Sequence, residues 1–249
     1  MAGIVGACMP ARQQCKTKDV PDPCVIVPAF DAAATVGQVV DDLRETVTAS
    51  VIVVDDGSTD ATGYVAGAHG AQVVRHDRNR GKGAAIVTGL REAARQQMRT
   101  AVTVDADGQH PASSARLVFE GSADPGALVL GVRDLRRDGA PRSNRFGNGV
   151  SNFFLSSFSG RGLRDTQCGL RRYPVRETLA LGTRANGYAF EAEVVLRAIA
   201  AGWPIVEVPI TVVYPPAGER RTHFRGLRDP VRIVATVART AFELRRSDR

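Results

Sequence analysis

The sequence is short of cysteine and of aromatic residues, and each shortage excludes a class of function. Its four cysteines include no CxxC pair, and no histidine stands near them at the spacing of a zinc site. This usage fits a reducing compartment and argues against structural zinc. Aromatic side chains make up 6% of the residues, and no basic stretch alternates with them as in a surface on which bases stack. A nucleic-acid partner is therefore not expected.

Long apolar runs are also missing. No stretch of about 18 apolar residues occurs, so the sequence predicts no transmembrane helix. Arg12 and Lys16 interrupt the N-terminus before the apolar core of a signal peptide can form, so export is not expected. Residues 1–22 have no usable hydrophobic period, and we expect them to be a poorly ordered lead. Residues 23–249 are enough for one sizeable core, and we expect a single domain.

The positive charge is concentrated at the C-terminus. The formal net charge is +7, and residues 218–249 carry nine arginines against four acids. Residues 227–245 predict a basic amphipathic helix with an arginine edge opposite an apolar side. The edge consists of Arg228, Arg232, Arg239 and Arg246. Such a helix suits an anionic membrane surface, and packing against the domain is the alternative.

Apolar strands alternate with helical periods along the first half of the domain. Strands are predicted at 24–27, 51–54, 72–75 and 101–104, and helices between them at 36–47 and 83–94. This order predicts an α/β fold with a parallel sheet that helices cover on both faces. Ligands of such sheets bind beyond the carboxyl ends of the strands, so the residues that follow each strand are the candidate site.

Asp105 and Asp107 follow the last of these strands. Residues i and i+2 of an extended chain project to the same side, so both carboxylates can converge on one hard cation. Such a cation would bridge two phosphates and stabilise a departing nucleoside diphosphate. The alternative is a solvated acidic turn.

Two further segments follow strands. Asp55 and Asp56 offer carboxylates to a base or a ribose, and a plain strand-to-helix turn with Ser58 as the helix cap is the alternative. Residues 79–83 (Asn-Arg-Gly-Lys-Gly) precede a helix and look like a phosphate cradle, to which Lys82 adds charge. The Walker pattern is absent, so ATP hydrolysis is not supported.

Glu191 lies on the apolar side of a helix predicted at 188–201. It could orient or deprotonate an acceptor, and a first-turn acid stabilised by the helix dipole is the alternative. If the acceptor is an anionic phosphate, Glu191 is expected to position rather than deprotonate. On the same helix, Glu193 and Arg197 predict an outward-facing pair one turn apart.

Five segments occur in the order and rough spacing of family 2 glycosyltransferases: VIVPAFD (25–31), VVDDGSTD (53–60), NRGKGAA (79–85), VDADGQH (104–110) and DTQCGLRRY (165–173). Over about residues 23–215 the sequence resembles the polyprenol-phosphate (dolichyl-phosphate) mannose and glucose synthases. The resemblance implies a GT-A fold, a nucleotide-diphospho-sugar donor, Mg2+ or Mn2+, and inversion by direct displacement. It also implies a polyprenyl-phosphate acceptor and a cytoplasmic enzyme, peripheral on the inner face of the cell membrane.

The resemblance implies roles for individual residues as well. Those that would line the donor site are Pro28, Phe30, Asp55, Asp56 and Lys82. Asp105 and Asp107 would hold the metal with Gln109 beside them. Arg133 and Arg145 would face donor or acceptor phosphate, and His223 would belong to a basic loop (220–225) that closes over the diphosphate. Asp107, Glu191 and Arg133 are the expected catalytic residues, and residues 165–169 with Arg171 and Arg172 would form a wall beside the acceptor.

One departure from the family pattern concerns the first loop. Many relatives carry Pro-x-Tyr-Asn-Glu there, whereas this sequence has Ala32 in place of the acid. The nucleoside contacts and the base preference therefore stay open.

The sequence predicts transfer of a hexose from UDP-glucose or GDP-mannose to a polyprenyl phosphate. Two alternatives are a family 2 enzyme that extends a cell-surface glycan and a catalytically silent GT-A scaffold. A nucleotidyltransferase would need a glycine-rich basic loop after the first strand, and Pro28 to Asp31 offers none. The oligomeric state is left open.

Overall fold

The computed structural model describes residues 24–47, 50–140, 142–214 and 228–247. The predicted lead at residues 1–22 and the basic loop that contains His223 lie outside the described residues. Seven strands form one sheet: β1 (Cys24–Ala29), β2 (Ser50–Asp55), β3 (Gln72–Arg75), β4 (Thr100–Thr103), β5 (Leu128–Arg133), β6 (Arg171–Pro174) and β7 (Ile205–Ile210). The described helices are α1 (Val36–Thr46), α2 (Thr62–Ala68), α3 (Lys82–Arg95), α4 (Ala112–Glu120), α5 (Arg142–Ser159), α6 (Val175–Ala180), α7 (Ala189–Ala200) and α8 (Arg228–Ser247).

The sheet is mostly parallel, as the sequence predicts. Its strand order is β3-β2-β1-β4-β6-β5-β7, and β6 runs antiparallel to both of its neighbours. The other pairs are parallel. The carboxyl ends of β1, β2 and β4 therefore lie side by side at one edge, and the loops that follow them share that edge.

Helices cover both faces of the sheet, which confirms that prediction. In β1, Cys24 and Ile26 point into a core shared with α3 and α7, while Val25 and Val27 point into a second core shared with α1 and α4. Each core needs every second residue of the strand. A strand buried on both sides must then be apolar throughout, which explains the continuous apolar run of β1.

The predicted outward orientation of Glu193 and Arg197 is wrong. Arg197 Nε does donate to Glu193 Oε1 at 2.9 Å, but the side chain of Glu193 is fully buried. The reason is that α8 packs over α7, where Glu243 accepts a second bond from Arg197 at 2.9 Å. Periodicity on one helix does not reveal a second helix that covers its polar side.

The C-terminal helix α8 packs its apolar side on the domain. Ile233 and Val237 are buried in the core that contains α7, and α8 also contacts α5. Its exposed stripe includes Arg239, Phe242, Arg245 and Arg246. Within the described residues, no helix is both long enough and apolar enough to span a bilayer.

Candidate active site

The loops after β1 and β2 are bonded to each other. Asp31 donates its backbone N–H to Ser58 Oγ at 3.0 Å, and its carboxylate accepts the N–H of Thr59 at 2.8 Å. Asp31 has a φ of 48°, a left-handed conformation that Asp tolerates better than most residues. The prediction that Ser58 caps the next helix is wrong, because α2 begins only at Thr62 and Asp60 accepts the Thr62 N–H at 2.9 Å.

Asp55 and Asp56 at the end of β2 are both buried and both hold neighbouring chain segments. Asp56 accepts the N–H groups of Arg80 and Gly81 at 2.9 and 2.7 Å, and its Oδ1 lies 2.6 Å from His76 Nδ1. Asp55 accepts the N–H of Ser58 at 2.9 Å and is 3.0 Å from Arg75. Pro28 and Phe30, at the end of β1 and just beyond it, are partly buried at the same edge.

Lys82, the first residue of α3, lies between two acids. Its Nζ is 2.6 Å from Asp105 Oδ1 and 3.1 Å from Glu191 Oε1, and its side chain is 15% exposed. Burial by itself would lower the pKa of Lys82, but the charges of Asp105 and Glu191 outweigh it and raise that pKa well above its usual value. Burial likewise opposes ionisation of Asp105, and the Lys82 ammonium outweighs it, so the pKa of Asp105 is lowered. Lys82 and Asp105 are therefore both charged at neutral pH.

Asp107 is exposed as a residue, and neighbouring protein atoms partly desolvate its carboxylate. Desolvation there, and then the nearby charge of Asp105, raise the pKa of Asp107 to about 6. Its Oδ1 accepts the N–H of Gln109 at 3.0 Å, so Gln109 is held beside the pair. The negative charge of each carboxylate makes the other harder to ionise. A divalent cation bound by both carboxylates would remove this cost.

The donor set suits a hard cation that shares its ligands with a substrate. Asp105 and Asp107 offer oxygen atoms, which Mg2+ and Mn2+ prefer. No group of three His, Cys, Asp or Glu side chains that could hold a metal ion occurs in the part of the chain that the structure describes. Further oxygens, such as those of a diphosphate or of water, would complete the coordination.

Arg133, the last residue of β5, forms a bidentate ion pair with Asp165. Arg133 Nε and Nη2 donate to the two carboxylate oxygens at 2.7 and 3.0 Å, and the backbone N–H of Arg133 donates at 3.1 Å. Asp165 is fully buried, and Arg133 keeps 15% of its side chain exposed. Burial by itself would lower the pKa of Arg133, but the charge of Asp165 outweighs it and the pKa is raised.

His110 lies between these two ion pairs and is buried. Its Nδ1 has no hydrogen-bond partner among the described residues. Burial lowers the pKa of His110 to about 4, and the charge of Asp105 only partly opposes this. The imidazole is therefore neutral at neutral pH. Arg145, on α5, is partly buried.

The predicted wall beside the acceptor is wrong for its two arginines. Arg171 is fully buried in β6 and donates to the backbone carbonyls of Thr166, Cys168 and Glu191. Arg172 donates to three carbonyls in the last turn of α4 and just beyond it: those of Phe119, Ser122 and Asp124. Both guanidinium groups are buried and donate to backbone carbonyls, so neither one faces a ligand.

Sequence reasoning assigned Gly169 to the acceptor wall and missed its approach to Lys82 and Asp105, and it did not identify His76 at all. A Cβ at Gly169 would lie 2.5 Å from Lys82 Nζ and 2.7 Å from Asp105 Oδ2, so only glycine leaves room for this ion pair. The glycine of the DTQCG segment was the available signal. His76 had none, since a lone histidine after a strand is not distinctive.

The chain is similar to known proteins in both sequence and fold. Residues 24–177 match the family model described as "Glycosyl transferase family 2". An uncharacterized protein of Methanocaldococcus jannaschii, MJ1222, is 32% identical over 198 residues, which cover 76% of this chain and 81% of that protein. The polyprenol monophosphomannose synthase of Mycolicibacterium smegmatis is 31% identical over 204 residues, which cover 74% of each chain.

A solved structure shows the same fold. The glucosyl-3-phosphoglycerate synthase of Mycobacterium tuberculosis, in complex with Mn2+, uridine diphosphate and phosphoglyceric acid, superposes with a TM-score of 0.69. The match covers 89% of this chain and 78% of that one at 22% identity. At this identity the likeness concerns the fold alone, and it confirms the predicted GT-A fold.

Proposed function

Because the chain belongs to glycosyl transferase family 2, we propose that it is an inverting, metal-dependent hexosyltransferase. Its donor is UDP-glucose or GDP-mannose, and its acceptor is a polyprenyl phosphate. The observation that carries the proposal is the cluster in which Lys82 bridges Asp105 and Glu191 at the edge of the sheet. The named activity of the mycolicibacterial relative supports the acceptor class.

The donor half of the cluster suits a nucleoside diphosphate. Asp105 and Asp107 would hold Mg2+ or Mn2+, and a bound ion supplies Lewis-acid stabilisation of the departing diphosphate. Lys82 stands 2.6 Å from Asp105 and adds a second positive charge to the same place. The solved relative that contains Mn2+ and uridine diphosphate supports this assignment.

The acceptor half favours an anionic nucleophile over a hydroxyl group. Glu191 is 2% exposed, and its carboxylate lies 3.1 Å from the Lys82 ammonium. To take a proton from a hydroxyl group, this carboxylate would have to give up its contact with the ammonium. A polyprenyl phosphate is already anionic, so one of its oxygens attacks the anomeric carbon while the nucleoside diphosphate leaves with the bonding electron pair. Arg133, beside the cleft, would steady the acceptor phosphate.

The same acceptor requires contact with a membrane surface. The exposed stripe of α8 carries three arginines, and the guanidinium of Arg246 lies 5.7 Å from the ring centre of Phe242. Arginines beside an aromatic residue bind well to anionic headgroups. We therefore place the enzyme on the inner face of the cell membrane as a peripheral protein.

Vesicle co-sedimentation tests the membrane contact. We expect binding to vesicles that contain anionic lipid and little binding to purely zwitterionic ones. Replacing Arg239, Arg245 and Arg246 by Gln should weaken that binding, whereas Arg91→Gln, which removes an exposed arginine from α3, should not. Equal vesicle binding by the triple variant and by Arg91→Gln would show that α8 is not the membrane contact.

Thermal-shift measurements test the donor. UDP-glucose and GDP-mannose should each be added with and without Mn2+ to the wild type, to Asp107→Ala and to the control Asp42→Ala, which removes an exposed acid from α1. We expect one donor to stabilise the wild type and the control only when Mn2+ is present, and neither donor to stabilise Asp107→Ala. Absence of any shift in the wild type would favour the scaffold alternative.

A transfer assay then separates the two enzymatic alternatives. Labelled sugar should enter the lipid phase when a polyprenyl phosphate is supplied and remain in water when it is omitted. Transfer to a glycan hydroxyl, with none to the polyprenyl phosphate, would replace this proposal by the glycan-extending one.

A further inference from the structure

His76 is a buried histidine with a polar partner on each ring nitrogen. The residue is 6% exposed, its Nδ1 lies 2.6 Å from Asp56 Oδ1, and its Nε2 lies 2.9 Å from Thr88 Oγ1. It follows β3, and Thr88 belongs to α3. The imidazole therefore joins the end of one strand to a helix and to the acid at the end of another.

Asp56 is also hydrogen-bonded to the segment that leads into Lys82. Its Oδ1 also accepts the N–H of Arg80 at 2.9 Å, and its Oδ2 accepts the N–H of Gly81 at 2.7 Å. Gly81 has a φ of 93°, so the chain turns there in a conformation that L residues rarely adopt. The next residue begins α3 and pairs with Asp105.

The backbone around Asp56 is closely packed, so a small shift of Asp56 would also move its neighbours. A Cβ on Gly57 would lie 2.4 Å from the carbonyl carbon of Arg78. The turn just after Asp56 therefore lies directly against the backbone of Arg78 and Asn79. The His76 nitrogen that faces Asp56 is a side-chain contact to its carboxylate, in addition to the two backbone N–H groups.

We propose that His76 is a positioning residue for the donor diphosphate. It orients Asp56, which holds the N–H groups of Arg80 and Gly81 and thereby sets where the Lys82 ammonium stands. His76 itself touches neither Lys82 nor the acids that Lys82 pairs with. This inference rests on the proposed function for its ligand, but its structural step can be measured without any ligand.

Amide hydrogen exchange of the 15N-labelled full chain, followed by NMR, measures that step. His76→Leu removes both polar contacts, and we expect exchange at the Arg80 and Gly81 amides to accelerate at least tenfold. His76→Asn places an amide N–H near the position of Nδ1, so it should restore most of the protection. His76→Gln, whose amide lies nearer to the position of Nε2, should not.

One matched variant controls for general destabilisation. His69→Asn removes the ring from a second His–Asp pair, in which His69 Nδ1 lies 2.8 Å from Asp41 but the residue is exposed, and should leave both amides unchanged. If His76→Leu does not fold, the difference in amide exchange between His76→Asn and His76→Gln tests the proposal instead. Equal exchange rates at Arg80 and Gly81 in the wild type, His76→Asn and His76→Gln would overturn the proposal.

Donor binding supplies the functional readout. Calorimetric titration with the nucleoside diphosphate and Mn2+ should give a Kd at least tenfold higher for His76→Leu than for the wild type, with recovery in His76→Asn. In the transfer assay, the donor KM should rise more than kcat falls. A wild type that binds no nucleotide would refute the proposed function, whereas unchanged affinity in a folded His76→Leu would refute the role of His76.

Discussion

The ammonium nitrogen of Lys82 lies 3.1 Å from Oε1 of Glu191 and thereby joins the first turn of α3 to the first turn of α7. The same nitrogen bonds Asp105 at 2.6 Å. Glu191 is thus one of two acids that share a single buried cation. To accept a proton from an acceptor, its carboxylate would first have to leave that cation, and the separation of buried charges is costly.

The acceptor class therefore sets how much Glu191→Gln costs. Gln keeps the shape of the side chain and an oxygen that can accept from Lys82. With a polyprenyl-phosphate acceptor, we expect kcat to fall by about tenfold or less, since no proton has to be removed. Loss of a true general base costs about a hundredfold or more. Steady-state kinetics of purified Glu191→Gln measure this cost. Asp107→Asn is the comparison variant, and it should lose far more activity.

Gly169→Ala tests how tightly the site is built. The added methyl group would meet Lys82 Nζ at 2.5 Å and Asp105 Oδ2 at 2.7 Å, so the ion pair must open. We expect kcat/KM to fall by about a hundredfold or more, because displaced charged groups no longer meet the diphosphate. Gly162→Ala is the control, since a Cβ there has no atom within 4 Å. Comparable activity in the two variants would show that Lys82 need not touch Asp105.

His110 gives the protein a dependence on pH with a defined sign. Its pKa is lowered to about 4 from 6.5, so between these values the unfolded chain binds a proton that the native state does not. His110 therefore contributes fully to the free energy of unfolding above pH 6.5, and this contribution is lost as the pH falls towards 4. The loss is roughly 3 kcal/mol at most.

The measurement is the free energy of unfolding in urea at several pH values from 7 to 4. His110→Gln cannot titrate, so its free energy of unfolding should fall less steeply than that of the wild type over this range. Using the slope rather than the absolute value removes any packing cost of the substitution. Parallel curves for His110→Gln and the wild type would contradict the prediction.

The sequence predicts those parts of the fold and the site that depend on local patterns. The apolar runs of β1 and β2 identify buried parallel strands, because each residue of such a strand faces one of two cores. Asp105, Asp107 and Lys82 follow from their places after strands and at a helix start. These positions needed no knowledge of distant contacts.

The contacts that the sequence could not predict join residues far apart along the chain. His76 reaches Asp56 across 20 positions, and Arg171 reaches the carbonyl of Glu191 across another 20. An arginine buried by backbone carbonyls has the same local pattern as one that faces a phosphate. For this reason the sequence pattern predicts a ligand wall at Arg171 and Arg172, although both donate to backbone carbonyls.

The pair of Arg133 and Asp165 should matter more for stability than its exposed counterpart. Asp165 is fully buried and pairs with Arg133, which is 15% exposed, whereas Arg164 in the pair with Glu207 is 60% exposed. Removing one charge of a buried pair leaves the other uncompensated, at a cost of about 3 kcal/mol or more. An exposed pair contributes about 1 kcal/mol or less.

We therefore expect Asp165→Asn to lower the free energy of unfolding at pH 7 by about 3 kcal/mol or more, and Arg164→Gln by about 1 kcal/mol or less. Urea unfolding of both variants measures the difference. Similar losses would mean that water reaches Arg133 once Asp165 is gone. The double variant Arg133→Met with Asp165→Asn should recover part of the stability lost in Asp165→Asn, because it leaves no buried charge without a partner. If Arg133 also steadies the acceptor phosphate, the double variant should recover stability but not transferase activity. The same variant therefore separates the structural role of Arg133 from its role in acceptor binding.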